Sequence, residues 1–176
     1  MSKTEKYIKR YGLKVVKIKK IDLKKLHYQY RPEIDGDRLL IDSPHFEIAK
    51  LYYIHGLKWV ENNYDKTKYF LFQKDILLKD PHVPKGKIRL FDSLREGYLK
   101  KGHENDYIVV LKDPLVKTRY GVDIDLPLFE IFIGHHRAAA LLALGKGRVD
   151  VILAKDNQIG TKNCYGNIHD IYKGVT

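Results

Sequence analysis

Only one cysteine, Cys164, occurs in the 176 residues, and no apolar run approaches the length of a membrane span. A single cysteine excludes an internal disulfide and a zinc site built from several thiolates. A membrane-spanning helix needs about 20 consecutive apolar residues. The N-terminal segment 1–6 also lacks the apolar core of a signal peptide. These absences predict a cytoplasmic protein with no membrane partner.

Acidic residues are scarce at the start of the chain. Up to residue 25, only Glu5 and Asp22 oppose ten lysine and arginine side chains. The whole chain carries 33 basic and 22 acidic residues, a formal net charge of +11. Because such an excess attracts polyanions, we expect residues 1–13 to form a basic N-terminal arm that contacts DNA or another nucleic acid. A solvated, lysine-rich surface is the alternative interpretation.

Apolar residues make up 44% of the chain, which favours one folded domain with a sizeable core. Their patterning predicts strands near 15–18, 107–111, 128–133 and 148–153, and helices over 44–56, 92–102 and 136–144. Residues 57–66 are interpreted as a loop or weak strand, 69–72 as a strand or part of a hairpin, and 79–87 as a loop. The pattern indicates the α+β class, with a mixed sheet, short helices and no internal repeats.

Capping residues predict two of the helix starts. Ser43 precedes Pro44, so a helix is expected to begin there and to end at Gly56. Asp92 and Ser93 are both favourable capping residues. A second short helix is therefore expected to begin at this pair.

The most informative segment joins an apolar run to a glycine, a cationic cluster and a helix. Residues 129–133 end at Gly134, which is followed by His135, His136 and Arg137 and then by an Ala/Leu-rich stretch. The first amides of a helix have no intrahelical partner and carry partial positive charge. Glycine allows a ligand close to the backbone, and arginine can hold a phosphate with two hydrogen bonds. The segment predicts an anion site, in which histidine can act as general acid, general base or phosphoryl acceptor.

The segment 134–137, Gly-His-His-Arg, resembles the phosphate motif of the ParB/sulfiredoxin superfamily. Sulfiredoxins carry Gly-Cys-His-Arg there, and ParB partition proteins carry Gly-Glu-Arg-Arg. The helix end at 144–145 (Leu-Gly) and the strand 149–152 are also similar to the family pattern. Upstream, 29–31 (Gln-Tyr-Arg) looks like the family's Gln-x-Arg stretch, and 92–94 (Asp-Ser-Leu) looks like the helix start that touches nucleotide phosphates in sulfiredoxins. The resemblance covers about residues 14–155 and leaves 156–176 as a C-terminal extension.

This resemblance implies a compact single-domain ParB/sulfiredoxin-like fold that binds a nucleoside triphosphate, ATP or CTP, together with Mg²⁺. The residues it predicts at the nucleotide are Gly134, His136, Arg137, Ser93, Gln29 and Arg31. Asp92 is the candidate metal ligand, because a carboxylate beside phosphates needs an intervening cation. His135 stands where sulfiredoxins have their catalytic cysteine, which excludes sulfiredoxin chemistry. We take His135 and His136 as the candidate catalytic residues.

The leading hypothesis is therefore a nucleotide-binding domain, for which nucleoside triphosphate hydrolysis and association with DNA are further expectations. Three alternatives remain open: a small metal-dependent nuclease, a kinase acting on a free metabolite, and a non-catalytic DNA-binding accessory protein. The additional domains of chromosomal ParB proteins would follow the motif domain, so we do not expect a complete partition protein in a chain that ends at Thr176. The oligomeric state is left open.

Overall fold

The computed structural model describes residues 3–10, 12–28, 38–96, 107–111 and 129–156. Within these ranges, six strands form one sheet in the order β1-β6-β4-β5-β2-β3. The strands are β1 (Leu13–Asp22), β2 (Leu26–Tyr28), β3 (Arg38–Leu39), β4 (Ile108–Leu111), β5 (Phe129–Ile133) and β6 (Arg148–Asp156). The β6–β4 and β5–β2 pairs are parallel, and the other three neighbouring pairs are antiparallel. The α+β class and the mixed sheet are thus confirmed.

The described ranges contain five α-helices: α1 (Lys3–Arg10), α2 (Pro44–Asn62), α3 (Lys68–Leu71), α4 (Lys85–Arg95) and α5 (His135–Ala143). Single 3₁₀ turns span Leu23–Lys25, Leu40–Asp42 and Tyr64–Lys66, and a π turn spans Phe72–Ile76. Every helix in these ranges is too short or too polar to cross a membrane. Helix α1 fills residues 3–10, so most of the predicted basic arm, residues 1–13, is helical.

The start of α2 is the predicted one. Ser43 accepts a hydrogen bond from the Phe46 amide at 3.1 Å and donates one to the Leu40 carbonyl at 2.6 Å, which satisfies an amide that the helix leaves unpaired. Gly56 interrupts the helix with φ 81° and ψ 176°, but helical turns resume and continue to Asn62. The prediction of a loop or weak strand from residue 57 is wrong, because burial of Val60 holds the second segment against the helical core.

The prediction of a strand at 69–72 is also wrong. Thr67 caps α3 by accepting from the Phe70 amide at 3.1 Å, and the π turn follows directly. Tyr69 and Phe72 are both buried, and a spacing of three residues places them on one side of a helix. An apolar run of four residues does not distinguish a strand from a buried helical turn.

The predicted helix start at Asp92–Ser93 is wrong as well. The helix α4 begins seven residues earlier, at Lys85, and places this pair in its C-terminal part. Ser93 donates to the Arg89 carbonyl within the same helix at 2.9 Å, so it does not cap a helix start. Pro84 precedes the helix without a side-chain capping bond, which explains why the sequence offers no capping signal there. The predicted loop 79–87 correspondingly ends before Lys85.

Helix α5 lies between the sheet and the other helices. Its Ala138, Ala139 and Leu142 pack with Val151 and Leu153 of the sheet. Ala140, in contrast, belongs to the cluster formed by buried residues of the helices α2 to α4. Small alanine side chains suit a helix covered on two sides, because they allow neighbouring backbones to approach closely. On the opposite face of the sheet, α1 packs against a third apolar cluster.

Candidate functional site

The turn between β5 and α5 requires a glycine. Gly134 has φ 98°, a conformation that side-chain-bearing residues rarely adopt. A β-carbon there would also lie 3.3 Å from both Cα and Cγ1 of Ile108, at the start of the neighbouring strand β4. The Gly134 carbonyl accepts the first hydrogen bond of α5 from the Ala138 amide at 2.8 Å. The predicted strand–glycine–helix unit is therefore confirmed.

The N-terminal turn of α5 has no side-chain cap. Gly134 occupies the capping position and makes no side-chain hydrogen bond, and no acidic residue lies in the first turn. Helices of ordinary soluble proteins usually satisfy these amides with Ser, Thr, Asp or Asn. The arrangement leaves the positive end of the helix dipole without a carboxylate, and it can therefore accept an anion.

Three histidines meet beside this turn. His135 is buried and His136 is half-buried. His45, from the first turn of α2, is fully buried, with its ring centroid 4.4 Å from that of His136 and 5.6 Å from that of His135. His45 was not singled out from the sequence. The only sequence signal for His45 was its position two residues after the capping Ser43, in the first turn of α2.

Aromatic residues enclose the histidine cluster. The Tyr69 hydroxyl lies 2.7 Å from Nε2 of His136 and forms a hydrogen bond with it. Tyr28, the last residue of β2, has its ring 5.7 Å from His135 and 5.2 Å from His45. Because β2 and β5 are parallel, their carboxyl ends reach the same edge of the sheet. Tyr69 was not predicted here, since residues 69–72 were interpreted as a strand.

Burial makes the three histidines neutral near pH 7. It lowers the pKa of His135 to about 4, against the opposing effect of a hydrogen bond to the Ile131 backbone. Burial also lowers the pKa of His136 and of His45 well below the usual range, and nearby positive charge lowers both further. The sequence predicted a cluster of three cationic side chains, 135–137. Of these, Arg137 keeps its positive charge at neutral pH, whereas the lowered pKa values favour the neutral form of both histidines.

A second positive charge comes from α4. Lys87, in the first turn of that helix, is exposed, and its charge contributes to the low pKa of both His136 and His45. Lys85, two residues away, forms an ion pair with Glu61 at 2.9 Å, and its charge does not contribute to either pKa shift. Sequence reasoning missed Lys87 because it placed residues 79–87 in a loop. The site thus combines an uncapped helix start with one cation from α5 and one from α4.

Asp92 joins α4 to α2. Its carboxylate accepts a hydrogen bond from the Tyr52 hydroxyl at 2.5 Å. Burial and this bond together raise the pKa of Tyr52 to about 12. Arg95 reinforces the same contact, since its guanidinium lies 4.7 Å from the Tyr53 ring centroid and donates to the Tyr53 carbonyl. Asp92 therefore has a structural partner, and its role as a metal ligand stays a prediction.

Two further predicted residues, Gln29 and Arg31, lie outside the described residues, although Tyr28 immediately before them contacts His135. Residues 157–176, including Cys164, also lie outside them. Within the described ranges, no group of three or more His, Cys, Asp or Glu side chains is arranged to hold a metal ion.

Comparisons of this chain with protein-family models, with curated proteins and with solved structures return no match. The ParB/sulfiredoxin resemblance accordingly stays a prediction based on the motif.

Proposed function

We propose that the N-terminal turn of α5 binds the phosphate groups of a nucleoside triphosphate, ATP or CTP. The uncapped start of α5 carries this proposal, because Gly134 has a positive φ at a position where a β-carbon would crowd Ile108, and the first turn of the helix holds no acidic residue. A triphosphate supplies the negative charge that such a helix start attracts. Arg137 supplies a full positive charge in the first turn of α5, and Lys87 of α4 supplies a second one, close enough to lower the pKa of His136 in that turn.

The neutral state of His136 gives it a chemical role distinct from that of Arg137. When Nε2 of His136 donates its hydrogen to the Tyr69 oxygen, Nδ1 carries the lone pair that accepts a proton from water. The water oxygen then bonds to the terminal phosphorus, and the bond to the nucleoside diphosphate leaving group breaks. The hydrogen bond to the Tyr69 hydroxyl fixes the ring of His136 in one orientation. His135 is buried against Tyr28 and His45, which suits a positioning role more than direct contact with substrate. Of the two candidate catalytic residues, we therefore favour His136 as the reacting group.

The resemblance also implies Mg²⁺ bound with the nucleotide. Asp92 is a single carboxylate that already accepts a hydrogen bond from Tyr52, and the described residues form no larger acidic group. Mg²⁺ commonly uses one or two protein carboxylates and takes its other oxygens from phosphates and water. The residues therefore fit a cation held mainly by the nucleotide, which would neutralise part of the phosphate charge.

Calorimetric titration with ATP and with CTP, each with and without Mg²⁺, tests the proposal. A hydrogen bond to a charged group contributes about 1.5–3 kcal/mol, so Arg137→Ala should weaken binding by roughly 10- to 150-fold. Lys87→Ala should also weaken it. Lys85→Ala is the matched control, because Lys85 lies in the same helical turn but is not among the charges that lower the pKa of His136 or His45.

An unchanged titration of Arg137→Ala would contradict the proposal, as would equal losses in the two lysine variants. If neither nucleotide binds the unmodified protein, the non-catalytic accessory protein becomes the better hypothesis.

A further inference from the structure

The edge strand β1 carries lysines on one face in an uninterrupted row. In the described sheet, β1 is an end strand that pairs with β6 alone. The register aligns Lys14, Lys17 and Lys19 with residues 155, 153 and 151 of β6. These partners alternate along β6 and so share one face of the sheet. The three lysines of β1 therefore share that face as well, together with Lys155.

A bulge produces this alignment. The register shifts between Val15 and Lys17, so that Val16 has no partner in β6. In a regular strand, Lys14 and Lys17 would point to opposite faces, because they are three residues apart. The extra residue restores them to one face, which is a known use of β-bulges. The row exists because of the bulge, and the sequence spacing alone would have divided it.

The two faces of this edge differ in charge. On the opposite face, Lys20 pairs with Asp150, and Asp22 pairs with Arg148, so that cations and anions balance. No carboxylate stands at the paired positions of the lysine face. Lys14, Lys17, Lys19 and Lys155 are all exposed, and none forms an ion pair with another described residue. The Lys19 ammonium lies 5.4 Å from the centroid of the Phe129 ring, a contact that leaves its charge uncompensated by any carboxylate among the described residues.

Lysines on an edge strand also discourage pairing with another strand. That role needs charge along the edge but does not require it on one face. It also does not account for Val15, Val16 and Ile18, which are 44–57% exposed on the same strand. Segregation of the cations on one side instead fits a ligand that carries regularly spaced negative charges.

We propose that this cationic row, Lys14, Lys17, Lys19 and Lys155, binds the phosphate backbone of a nucleic-acid duplex. Alternate residues of a strand lie about 6.6 Å apart, and neighbouring strands about 4.8 Å apart, so the row presents several cations to successive phosphates. The strand contains no aromatic residue, and the Phe129 ring beneath Lys19 is packed against the core, so the row lacks the open stacking surface used to hold unpaired bases. This surface uses none of the residues proposed for the nucleotide, and the two proposals can fail separately.

Fluorescence anisotropy with a labelled DNA duplex of about 20 base pairs, measured over a salt series, tests this proposal. The test variant is Lys17→Gln/Lys19→Gln. The control is Lys20→Gln/Lys24→Gln, which removes the same charge from two neighbouring exposed positions: Lys20 lies on the opposite face of β1, and Lys24 lies in the 3₁₀ turn after the strand. Each lost phosphate contact reduces the slope of log K against log salt concentration by about 0.9 in magnitude, so the test variant should reduce this slope by about 1.8.

If the plots of log K against log salt concentration for the variant and the unmodified protein meet at about 1 M, the same change in slope corresponds to roughly 60-fold weaker binding at about 0.1 M salt. The control should lose much less, and Arg137→Ala should bind the duplex as the unmodified protein does. Unchanged melting temperatures would show that the variants remain folded. Equal losses in both double variants would overturn the proposal, as would an absence of duplex binding. Preferential binding to phosphatidylcholine vesicles with roughly one-fifth phosphatidylserine would also overturn it, in favour of a lipid surface.

Discussion

Replacing Gly134 with alanine should destabilise the protein by about 3 kcal/mol, with two separable causes. The backbone at φ 98° costs an alanine about 1–2 kcal/mol. The added methyl group would lie 3.3 Å from the Cα of Ile108, and overpacking of this kind costs about 1–3 kcal/mol. Because β4 is paired on both sides, by β6 and by β5, its backbone has little freedom to move away.

Urea unfolding followed by circular dichroism measures this effect. With a denaturant dependence of about 2 kcal/mol per molar urea, the loss should lower the midpoint by roughly 1.5 M. Gly145→Ala is the matched control, because Gly145 also has a positive φ, 78°, but has nothing within 4 Å of the added carbon. It should show the backbone cost alone, about half the shift. Gly147, with neither feature, should tolerate alanine. If Gly134→Ala lowers the midpoint no more than Gly145→Ala does, contact with Ile108 is not the reason for glycine.

Three further predictions concern the elements around the site. Ser43→Ala should lower the unfolding free energy by about 1–2 kcal/mol in urea titrations, because the helix that carries His45 loses its cap; no change would show that this cap is dispensable. Tyr69→Phe should lower the free energy of unfolding by about 1 kcal/mol. A double-mutant cycle with His136→Phe should yield a non-zero coupling energy, and a value of zero would show that the hydrogen bond between Tyr69 and His136 does not form in solution. The free energy of unfolding should also fall as the pH drops from 6.5 towards about 4, because the unfolded chain binds a proton that burial denies to His135. The slope should be about 1.4 kcal/mol per pH unit for each such histidine, and a flat profile measured by urea unfolding would contradict the burial of these rings.

The sequence predicted the elements whose signals are local. The apolar run before Gly134 and the alanine-rich stretch after it located β5 and α5, because a glycine turn and a helical pattern are encoded within a few residues. Ser43 likewise marked the start of α2. The Asp92–Ser93 start failed because the same residue types serve equally well inside a helix when a partner such as Tyr52 is available. The function implied by the ParB/sulfiredoxin resemblance stays a prediction.

The sequence by itself determined the strand–glycine–helix unit at Gly134 and the excess of positive charge near the N-terminus. Both depend on residue type and on neighbours in the chain. Only the tertiary structure decided which side chains of the candidate site are charged. Burial against His45 and the aromatic rings keeps His135 and His136 neutral. The packing of α4 against α5 places the charge of Lys87 near His136. The tertiary structure also decided the direction of the lysines of β1. Register and bulge are properties of paired strands. Because Val16 has no partner in β6, Lys14 and Lys17 lie on one face of the sheet, although their spacing in the sequence would place them on opposite faces.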